Sequence, residues 1–264
     1  MLLAAILGVL AAGVVWLFAA KIWWFPPGID AHAAAYDEQF LRTIILCGVI
    51  FFLAQAALAI VLVRFRQRGN QGRAQYSHGD RRLEFLWTVS TAIVFLGLAL
   101  AGTKLWARVH FDEAPADALP IEVTAKQFAW SFRYAGPDGK FGRTALRFIN
   151  DAAGNPVGLD DADPASRDDI VSATLRVPVN RPVKLILRSR DVIHSFFVRE
   201  LRLKQDLVPG MDIPLHFQAE RTGTFEVPCS ELCGLGHSQM RTTMQVMTQR
   251  EFDAWLAARE AQKR

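Results

Sequence analysis

The chain contains little cysteine. It has three cysteines among 264 residues, too few for a disulfide-stabilised scaffold. It also has no Cys-x-x-Cys-His sequence, which excludes a covalently attached c-type haem. The net charge is only +4, so the placement of the charges tells more than their sum. About half of the residues (51%) are apolar, and these are concentrated near the N-terminus.

The first apolar run extends from Leu2 to Phe25 and is interrupted by a single charge, Lys21. At about 1.5 Å per residue, roughly 20 helical residues cross a hydrocarbon layer of about 30 Å. We therefore expect a retained transmembrane helix within residues 1–28, ended by Pro26-Pro27-Gly28. Its aromatic end, Trp23-Trp24-Phe25, would lie at the outer interface. The alternative, a cleaved signal peptide, is disfavoured because the run lacks a basic N-terminal region.

Two further spans are predicted at residues 41–63 and 83–107, after a short polar loop at residues 29–40. The segment between them, residues 64–82, is rich in arginine: Arg64, Arg66, Arg68, Arg73, Arg81 and Arg82. Short basic loops face the cytoplasm, so the chain would pass out, in and out again, placing everything after Arg108 outside. A nucleic-acid patch is the other interpretation of these arginines, but their position between two spans argues against a nucleic-acid partner.

The sequence pattern changes at Pro120, where Ile121 to Tyr134 alternates apolar and polar residues as a strand does. Short strands separated by turn residues recur at residues 174–177, 183–189, 192–198, 213–218, 223–227 and 241–247. Residues 118–249 are therefore predicted to form an all-β sandwich or Greek-key barrel. Residues 250–264 should form a terminal amphipathic helix. The predicted fold class is an α+β membrane protein with N-terminal transmembrane helices followed by this all-β domain.

Soft metal ligands are concentrated in residues 229–240, which contain Cys229, Cys233, His237 and Met240. Thiolate, imidazole and thioether together suit copper better than magnesium or calcium. The last three have the spacing of a blue-copper loop, and a second thiolate four positions earlier lets two sulfurs bridge two ions. The remaining ligand should be a distant histidine, and His194 stands in an apolar, β-branched strand.

Three other interpretations of these residues remain open: a disulfide, a structural zinc site and a single blue copper. A disulfide between the two cysteines leaves His194, His237 and Met240 without a role. Zinc rarely recruits methionine. Binuclear copper therefore accounts for more of the ligand set than the other three.

The pattern of a strand histidine, then Cys-Ser-Glu-Leu-Cys, then Gly-x-x-His-x-x-Met resembles the binuclear CuA centre of subunit II of the haem-copper oxidases. The resemblance implies that Cys229 and Cys233 bridge two coppers, with His194 and His237 each capping one. It also implies weak axial ligation by Met240 and by the backbone carbonyl of Glu231. The domain over 118–249 would then be a cupredoxin-like Greek-key barrel on the periplasmic side of a bacterial inner membrane.

The same resemblance implies the function of electron-transfer subunit in a cytochrome c oxidase. Electrons would arrive from cytochrome c or a similar periplasmic carrier and pass to haem in the partner subunit I, which reduces oxygen to water and translocates protons. The carboxylate of Glu231 would bind a magnesium or manganese ion shared with subunit I. Glu84, at the start of the third span, would lie near a proton entry. Its other interpretation is a solvated carboxylate favoured by the helix dipole.

Two departures from the family pattern leave the electron donor open. Phe128 stands where the family commonly has the tryptophan of electron entry, with Trp130 as the second aromatic. Met211 replaces the usual arginine after Pro-Gly. The aspartate-rich segment 150–170 is either a solvated loop or a dock for a basic partner, and Asp191 matches an acidic docking position of the family.

Three other functions are considered. The CuA subunit of a nitric oxide reductase would share this sequence pattern. A membrane-anchored copper-binding or assembly protein would expose fewer, more open ligands. A quinol-oxidising relative would lack the copper ligands that this chain retains.

Overall fold

The computed structural model describes residues 2–22, 24–66, 76 and 78–263. Two compact units are present: residues 1–25 with 37–105, and residues 26–36 with 106–264. Two parts of the sequence predictions lie outside the described residues. They are Trp23 and most of the basic segment 64–82, including Arg68 and Arg73.

Three long helices precede the β structure: α1 (Leu2–Ala19), α2 (Ala31–Arg64) and α3 (Arg81–His110). Each is long and apolar enough to cross a membrane, judged by length and composition. The expected polar loop at residues 29–40 is wrong, because helix α2 already begins at Ala31. The carboxylate of Asp30 accepts a hydrogen bond from the backbone N–H of His32 and so caps the helix, and an alanine-rich first turn follows.

The second unit contains ten strands: β1 (Leu119–Lys126), β2 (Ala129–Tyr134), β3 (Ile170–Ser172), β4 (Leu175–Pro178), β5 (Val183–Ser189), β6 (His194–Val198), β7 (Leu203–Leu207), β8 (Ile213–Phe217), β9 (Gly223–Pro228) and β10 (Arg241–Met247). They form a five-stranded sheet in the order β3-β2-β1-β5-β8, a three-stranded sheet β4-β10-β9 and the pair β6-β7. Pairs β1–β5 and β4–β10 are parallel, and the others are antiparallel.

The predicted single strand Ile121–Tyr134 is a hairpin of two strands. Lys126 pairs with Ala129, so Gln127 and Phe128 form a two-residue tip. The tip contains no glycine or asparagine. The only signal in the sequence is a change of phase, because the apolar residues of the alternation have odd numbers up to Ala125 and even numbers from Phe128. Tertiary hydrogen bonds from Gln127, described below, hold the tip instead.

The core of this unit is formed by side chains that alternate along the strands. In β1, Ile121, Val123 and Ala125 are buried, and in β5 Leu185 and Leu187 are buried beside them. Burying such side chains stabilises a fold by about 1.5–3 kcal/mol each. These strands form a rigid base, and the loops at their ends carry the candidate site.

The terminal helix α5 (Gln249–Lys263) packs on the same core. Its Phe252 is buried, and the ring of Trp255 lies 5.0 Å from the ring of Tyr134. A capping box begins the helix. The Thr248 N–H donates to Oε2 of Glu251 at 2.8 Å, and the Glu251 N–H donates to Oγ1 of Thr248 at 3.3 Å.

A buried ion network joins the first two strands to the segment before β3. The guanidinium of Arg133 donates to Asp169 through Nε at 3.0 Å and to Glu122 through Nη1 at 2.7 Å. Arg188 donates to the other oxygen of Glu122 at 2.7 Å. Burial raises the pKa of Asp169 despite the partner charge. The opposite charges of this network neutralise one another inside the domain, so its role is structural.

Several carboxylates of the aspartate-rich segment 150–170 are engaged inside the domain. Asp151 contacts Lys126 Nζ at 2.6 Å and Arg190 Nη1 at 3.2 Å. Asp163 caps the short helix α4 (Pro164–Arg167) by accepting from the Ala165 N–H at 3.3 Å. These contacts favour a structural role for the segment over the docking role considered from the sequence.

Candidate metal centre

The loop of residues 229–240 connects β9 to β10 and begins where the two strands separate. The backbone N–H of Cys229 donates to the carbonyl of Met240 at 2.9 Å, which continues the strand ladder by one pair. The Ser230 N–H donates to the carbonyl of Ser195 at 3.0 Å. Because Ser195 follows His194 in β6, this bond brings the imidazole of His194 to the loop.

The two thiols of the loop are free and lie side by side. Sγ of Cys229 and Sγ of Cys233 are 3.9 Å apart, both thiols are buried, and both cysteines are unbonded. A disulfide requires about 2.05 Å between sulfurs, so the two cysteines are not disulfide-bonded in this structure. A metal–thiolate bond is about 2.3 Å for zinc. An ion at such a distance can contact both sulfurs, so the pair fits a bridging role.

Each sulfur has its own imidazole. Nδ1 of His194 lies 3.9 Å from Sγ of Cys229, and Nδ1 of His237 lies 3.6 Å from Sγ of Cys233. The ligand atoms of His194 and both cysteines all fall within 4.8 Å of one another. The distant histidine expected from the sequence therefore reaches the thiol loop.

Each sulfur also has one weaker donor beside it. The backbone carbonyl of Glu231 is 3.2 Å from Sγ of Cys229, and the thioether sulfur of Met240 is 3.8 Å from Sγ of Cys233. The donors thus divide into two sets of matching chemistry, each with a thiol, an imidazole and a weak ligand. Such a donor set fits two soft ions better than one, since one ion would leave half of the donors unused.

The carboxylate of Asp191 fixes the tautomer of His194. Its Oδ1 lies 2.8 Å from Nε2 of the imidazole, and its Oδ2 accepts from the Gln127 N–H at 2.7 Å. A carboxylate only accepts hydrogen bonds, so Nε2 carries the proton and Nδ1 keeps its lone pair toward the sulfurs. Partial burial raises the pKa of Asp191, but the hydrogen bonds from Gln127 and His194 outweigh this and lower it.

The thiol of Cys233 is protonated at neutral pH in the absence of metal. Burial raises the pKa of the Cys233 thiol to about 11, and the neighbouring Cys229 thiol adds to the shift. Metals bind the thiolate, so ion binding at this loop must release protons.

The hairpin tip packs directly on the loop. Nε2 of Gln127 donates to the carbonyl of Cys233 at 2.6 Å. A Cβ atom placed on Gly236 would lie 2.5 Å from the ring of Phe128, and one on Gly234 would lie 3.2 Å from it. The two glycines therefore allow the aromatic ring to lie against the loop backbone.

The two aromatic residues predicted for electron entry occupy different depths. Phe128 is exposed, whereas Trp130 is buried and packs edge-on against Phe196 at 6.2 Å between ring centroids. Phe196 in turn bridges to Cys229 in the backbone ladder. The side chain of Phe196 is buried, whereas that of Leu232 is exposed.

Two other residues singled out from the sequence belong to other segments of the chain. Glu84 is in the first turn of α3. Met211 is an exposed residue after the turn at Pro209-Gly210. The sequence analysis did not predict that Gln127 and Asp191 position the site. The separation of Gln127 from Cys233 by 106 residues gives no local signal, although Asp191 stands close to His194 in sequence.

Comparisons with known proteins place this architecture in a family. A family profile described as the periplasmic domain of cytochrome c oxidase subunit II matches residues 119–247, and one for its transmembrane domain matches residues 21–105. The alternative cytochrome c oxidase subunit 2 of Bradyrhizobium diazoefficiens is 36% identical over 259 residues, covering 97% of this chain and 91% of that protein. The cytochrome c oxidase subunit 2 of Cereibacter sphaeroides is 30% identical over 223 residues, covering 81% and 72%.

A solved structure also matches the β domain. The crystal structure of the periplasmic domain of subunit II of cytochrome oxidase of Bradyrhizobium japonicum is 31% identical to the matching region, with a TM-score of 0.42. The match covers 58% of this chain and 100% of the chain in the crystal structure.

The fold and the thiol loop, together with these matches, define a membrane-anchored subunit of a haem-copper oxidase, in which other oxidase subunits are partners. The element order and the two family profiles confirm the predicted fold class, apolar helices followed by a cupredoxin-like β domain. The chain belongs to the cytochrome c oxidase subunit II family. Its periplasmic-domain profile implies copper binding.

Proposed function

We propose that residues His194, Cys229, Glu231, Cys233, His237 and Met240 hold a binuclear copper centre of the CuA type. The centre accepts electrons from cytochrome c or a similar carrier and passes them to haem in subunit I. One observation carries this proposal: each of the two sulfurs, 3.9 Å apart, has its own imidazole and its own weak donor. Two matched half-sites sharing two thiols suit a pair of soft ions that share one electron.

The protein's part in this reaction is to hold the ligands still and keep water out. Cys229, Cys233 and Met240 are buried, and His194 is inaccessible to solvent, so the ligand set leaves no open position for a substrate. Asp191 holds the imidazole of His194 through Nε2, as second-sphere carboxylates do for metal-bound histidines. When bound, a copper pair supplies a one-electron carrier whose charge is spread over both thiolates.

Electron entry is proposed at Phe128, because its exposed ring lies against the backbone of the ligand loop. Trp130 would act beneath it through packing with Phe196. The carboxylate of Glu231 is half-buried at the same loop and would bind magnesium or manganese shared with subunit I, since hard ions prefer such oxygens.

The membrane arrangement belongs to the same proposal. With α1, α2 and α3 all spanning, the chain would cross a bacterial inner membrane three times and place the β domain in the periplasm. Oxygen would be reduced in subunit I, and protons would be translocated there.

The test is metal and optical analysis of the purified complex. We expect two coppers per chain and a purple colour, with oxygen consumed when a reduced carrier is supplied. One copper per chain with a blue spectrum would overturn the binuclear site. Consumption of nitric oxide in place of oxygen would assign the chain to the alternative reductase. Removal of the copper by a mild chelator would favour a copper-delivery protein, which the buried ligands argue against.

A further inference from the structure

A groove separates helix α1 from helix α2 within the first compact unit. Its volume is about 690 Å³, which is the size of an ordinary small-molecule site. One wall contains Val14 and Phe18 of α1, and the other is the 41–53 segment of α2. Among the described residues that line the groove, Lys21 alone is charged. The hydrocarbon region of a bilayer holds no water, so such a groove must be filled by lipid or by another protein.

The length of the groove distinguishes between these two occupants. Its α2 wall extends from Leu41 to Leu53, which is about 18 Å at a rise of about 1.5 Å per residue. The hydrocarbon core of a bilayer is about 30 Å thick, so one leaflet contributes about 15 Å. A transmembrane helix of another subunit would need a groove along the whole core, whereas the acyl chains of one leaflet fit this length.

The charged end of the groove is suited to a lipid headgroup. Lys21 follows the end of α1, and its Nζ lies 5.8 Å from the centroid of the Trp24 ring. That ring packs on Phe40 of α2 at 5.9 Å between ring centroids, so aromatic side chains join the two helices at this end. Tryptophan and lysine are typical of the membrane interface, where phosphate groups lie. One ammonium group at the end of an apolar groove is complementary to an anionic headgroup with an attached acyl chain.

Gly48 keeps the middle of the groove open. Leu41, Ile45, Gly48 and Phe52 follow one another at helical spacing and form the α2 wall. A Cβ atom placed on Gly48 would have no heavy atom within 4 Å. Glycine weakens a helix interior relative to alanine, and here it leaves space that a larger side chain would fill.

We propose that this groove binds one anionic phospholipid, with an acyl chain between α1 and α2 and the phosphate at Lys21. The bound chain fills the space between the two helices and holds α1 against α2. This inference rests on the proposed membrane arrangement, in which α1 and α2 both span, and not on the copper centre.

The test counts the lipids bound to the full chain by native mass spectrometry. The chain is titrated in detergent with phosphatidylglycerol, which is anionic, or with phosphatidylcholine of identical acyl chains, which is zwitterionic. We expect one phosphatidylglycerol to bind with a Kd about fivefold lower than that of phosphatidylcholine, the effect of one basic residue near an anionic headgroup. Equal affinities for the two lipids would overturn the proposal.

Two variants assign the binding to the groove. Lys21→Gln should remove the preference for phosphatidylglycerol, and Lys104→Gln, at an exposed lysine of α3, is its control. Gly48→Leu should weaken binding of both lipids about tenfold, the effect of excluding two methylene groups from apolar contact. Gly97→Leu is its control, because a Cβ on Gly97 of α3 also has no heavy atom within 4 Å. Wild-type binding by either groove variant would overturn the proposal.

The intact oxidase tests whether another subunit fills the groove. A phosphatidylglycerol with a diazirine on its acyl chain should label residues 41–53 on illumination, and Gly48→Leu should remove that label. Absence of label from these residues in the wild-type oxidase would show that a partner subunit covers them and would overturn the proposal.

Failure of this inference and failure of the proposed function give different results. A purified chain whose intact mass lacks α1 would overturn the three-span arrangement together with the lipid site. A chain that keeps α1 but binds both lipids equally would overturn the lipid site alone. A wild-type oxidase without two coppers would overturn the copper centre, whatever lipid is bound.

Discussion

Nε2 of His194 lies 2.8 Å from Oδ1 of Asp191, and this contact turns the other ring nitrogen, Nδ1, toward the sulfur of Cys229. Asp191 thereby has a positioning role that differs from the docking role suggested by its sequence position. Because Gln127 also donates to Asp191, one carboxylate links the hairpin tip, β6 and the thiol loop.

Replacing Asp191 should weaken copper binding without removing any proposed ligand. We expect Asp191→Ala to lower copper affinity about 10- to 100-fold, the usual effect of losing a second-sphere partner. Asp191→Asn keeps an acceptor oxygen and should lose less. Competition titration of the metal-free protein against a copper chelator measures both. Asp212→Asn, which changes a carboxylate paired with Arg188, is the control. Equal affinities for Asp191→Ala and the wild type would contradict the positioning role.

A methyl group on Gly236 should displace the ring of Phe128. The added Cβ would meet ring carbons at 2.5 and 2.6 Å, so Gly236→Ala should destabilise the domain by about 1–3 kcal/mol. The double variant Gly236→Ala/Phe128→Ala should recover part of this loss, because the clashing ring is gone. Thermal unfolding of the four proteins in a double-mutant cycle gives the coupling. Additive losses in the cycle would show that the two residues do not meet.

Removal of Arg133 should take one charged partner from each of two buried carboxylates, Asp169 and Glu122, of which Glu122 keeps Arg188. We expect Arg133→Met to reduce the free energy of unfolding by about 3–5 kcal/mol, because Asp169 is fully buried and Glu122 is nearly so. Arg143→Met, at an exposed arginine that pairs with Asp160, should cost no more than about 1 kcal/mol. Denaturation of both variants under identical conditions provides the comparison. Similar losses in the two would argue against a structural role for the buried network.

The capping box of α5 should make the terminal helix sensitive to acid. Hydrogen bonding by the Thr248 side chain lowers the pKa of Glu251 from its ordinary value of 4.5. The stabilisation is therefore complete above that value and is lost as the pH falls through the lowered pKa. At neutral pH, Glu251→Gln should increase amide exchange in residues 249–263 relative to the wild type, and the difference should disappear in acid. A difference that persists at low pH would contradict this assignment.

Glu84 tests the proton-entry hypothesis. Glu84→Gln should slow proton uptake by the intact oxidase and leave the copper spectrum unchanged, because Glu84 belongs to the first turn of α3 and is not one of the proposed copper ligands. Flow-flash kinetics with a pH indicator dye measure the uptake. Turnover equal to the wild type would favour the simpler interpretation, a solvated carboxylate at a helix N-terminus.

The thiol loop could be recognised from the sequence because four of its donors lie within residues 229–240, where spacing alone indicates their chemistry. His194 was found because the ligand set required a distant histidine, and His194 stands in an apolar, β-branched strand. The contacts of Gln127 span 64 and 106 residues, and nothing in its neighbours predicts them. Long-range polar contacts of this kind depend on strand order, which apolar alternation does not specify.

The same limit explains two of the errors in the predicted elements, which also omitted strands β3 and β7. Alternation is present on both sides of Gln127 and Phe128, and the change of phase between the two sides was overlooked, so the hairpin was taken as one strand. The segment at 29–40 was taken as a loop because it is polar, although Asp30 and the alanines after it favour helix initiation. In both places the local pattern was compatible with two structures, and contacts from elsewhere in the chain selected one.

The contacts at the tip of the β1–β2 hairpin limit the insertions and deletions that this turn can tolerate. Exposed turns usually tolerate insertions and deletions. Here one residue more or fewer would move Gln127 off both of its acceptors and lift Phe128 from the two glycines. The length of this turn is therefore fixed by a loop that lies roughly a hundred residues further along the chain.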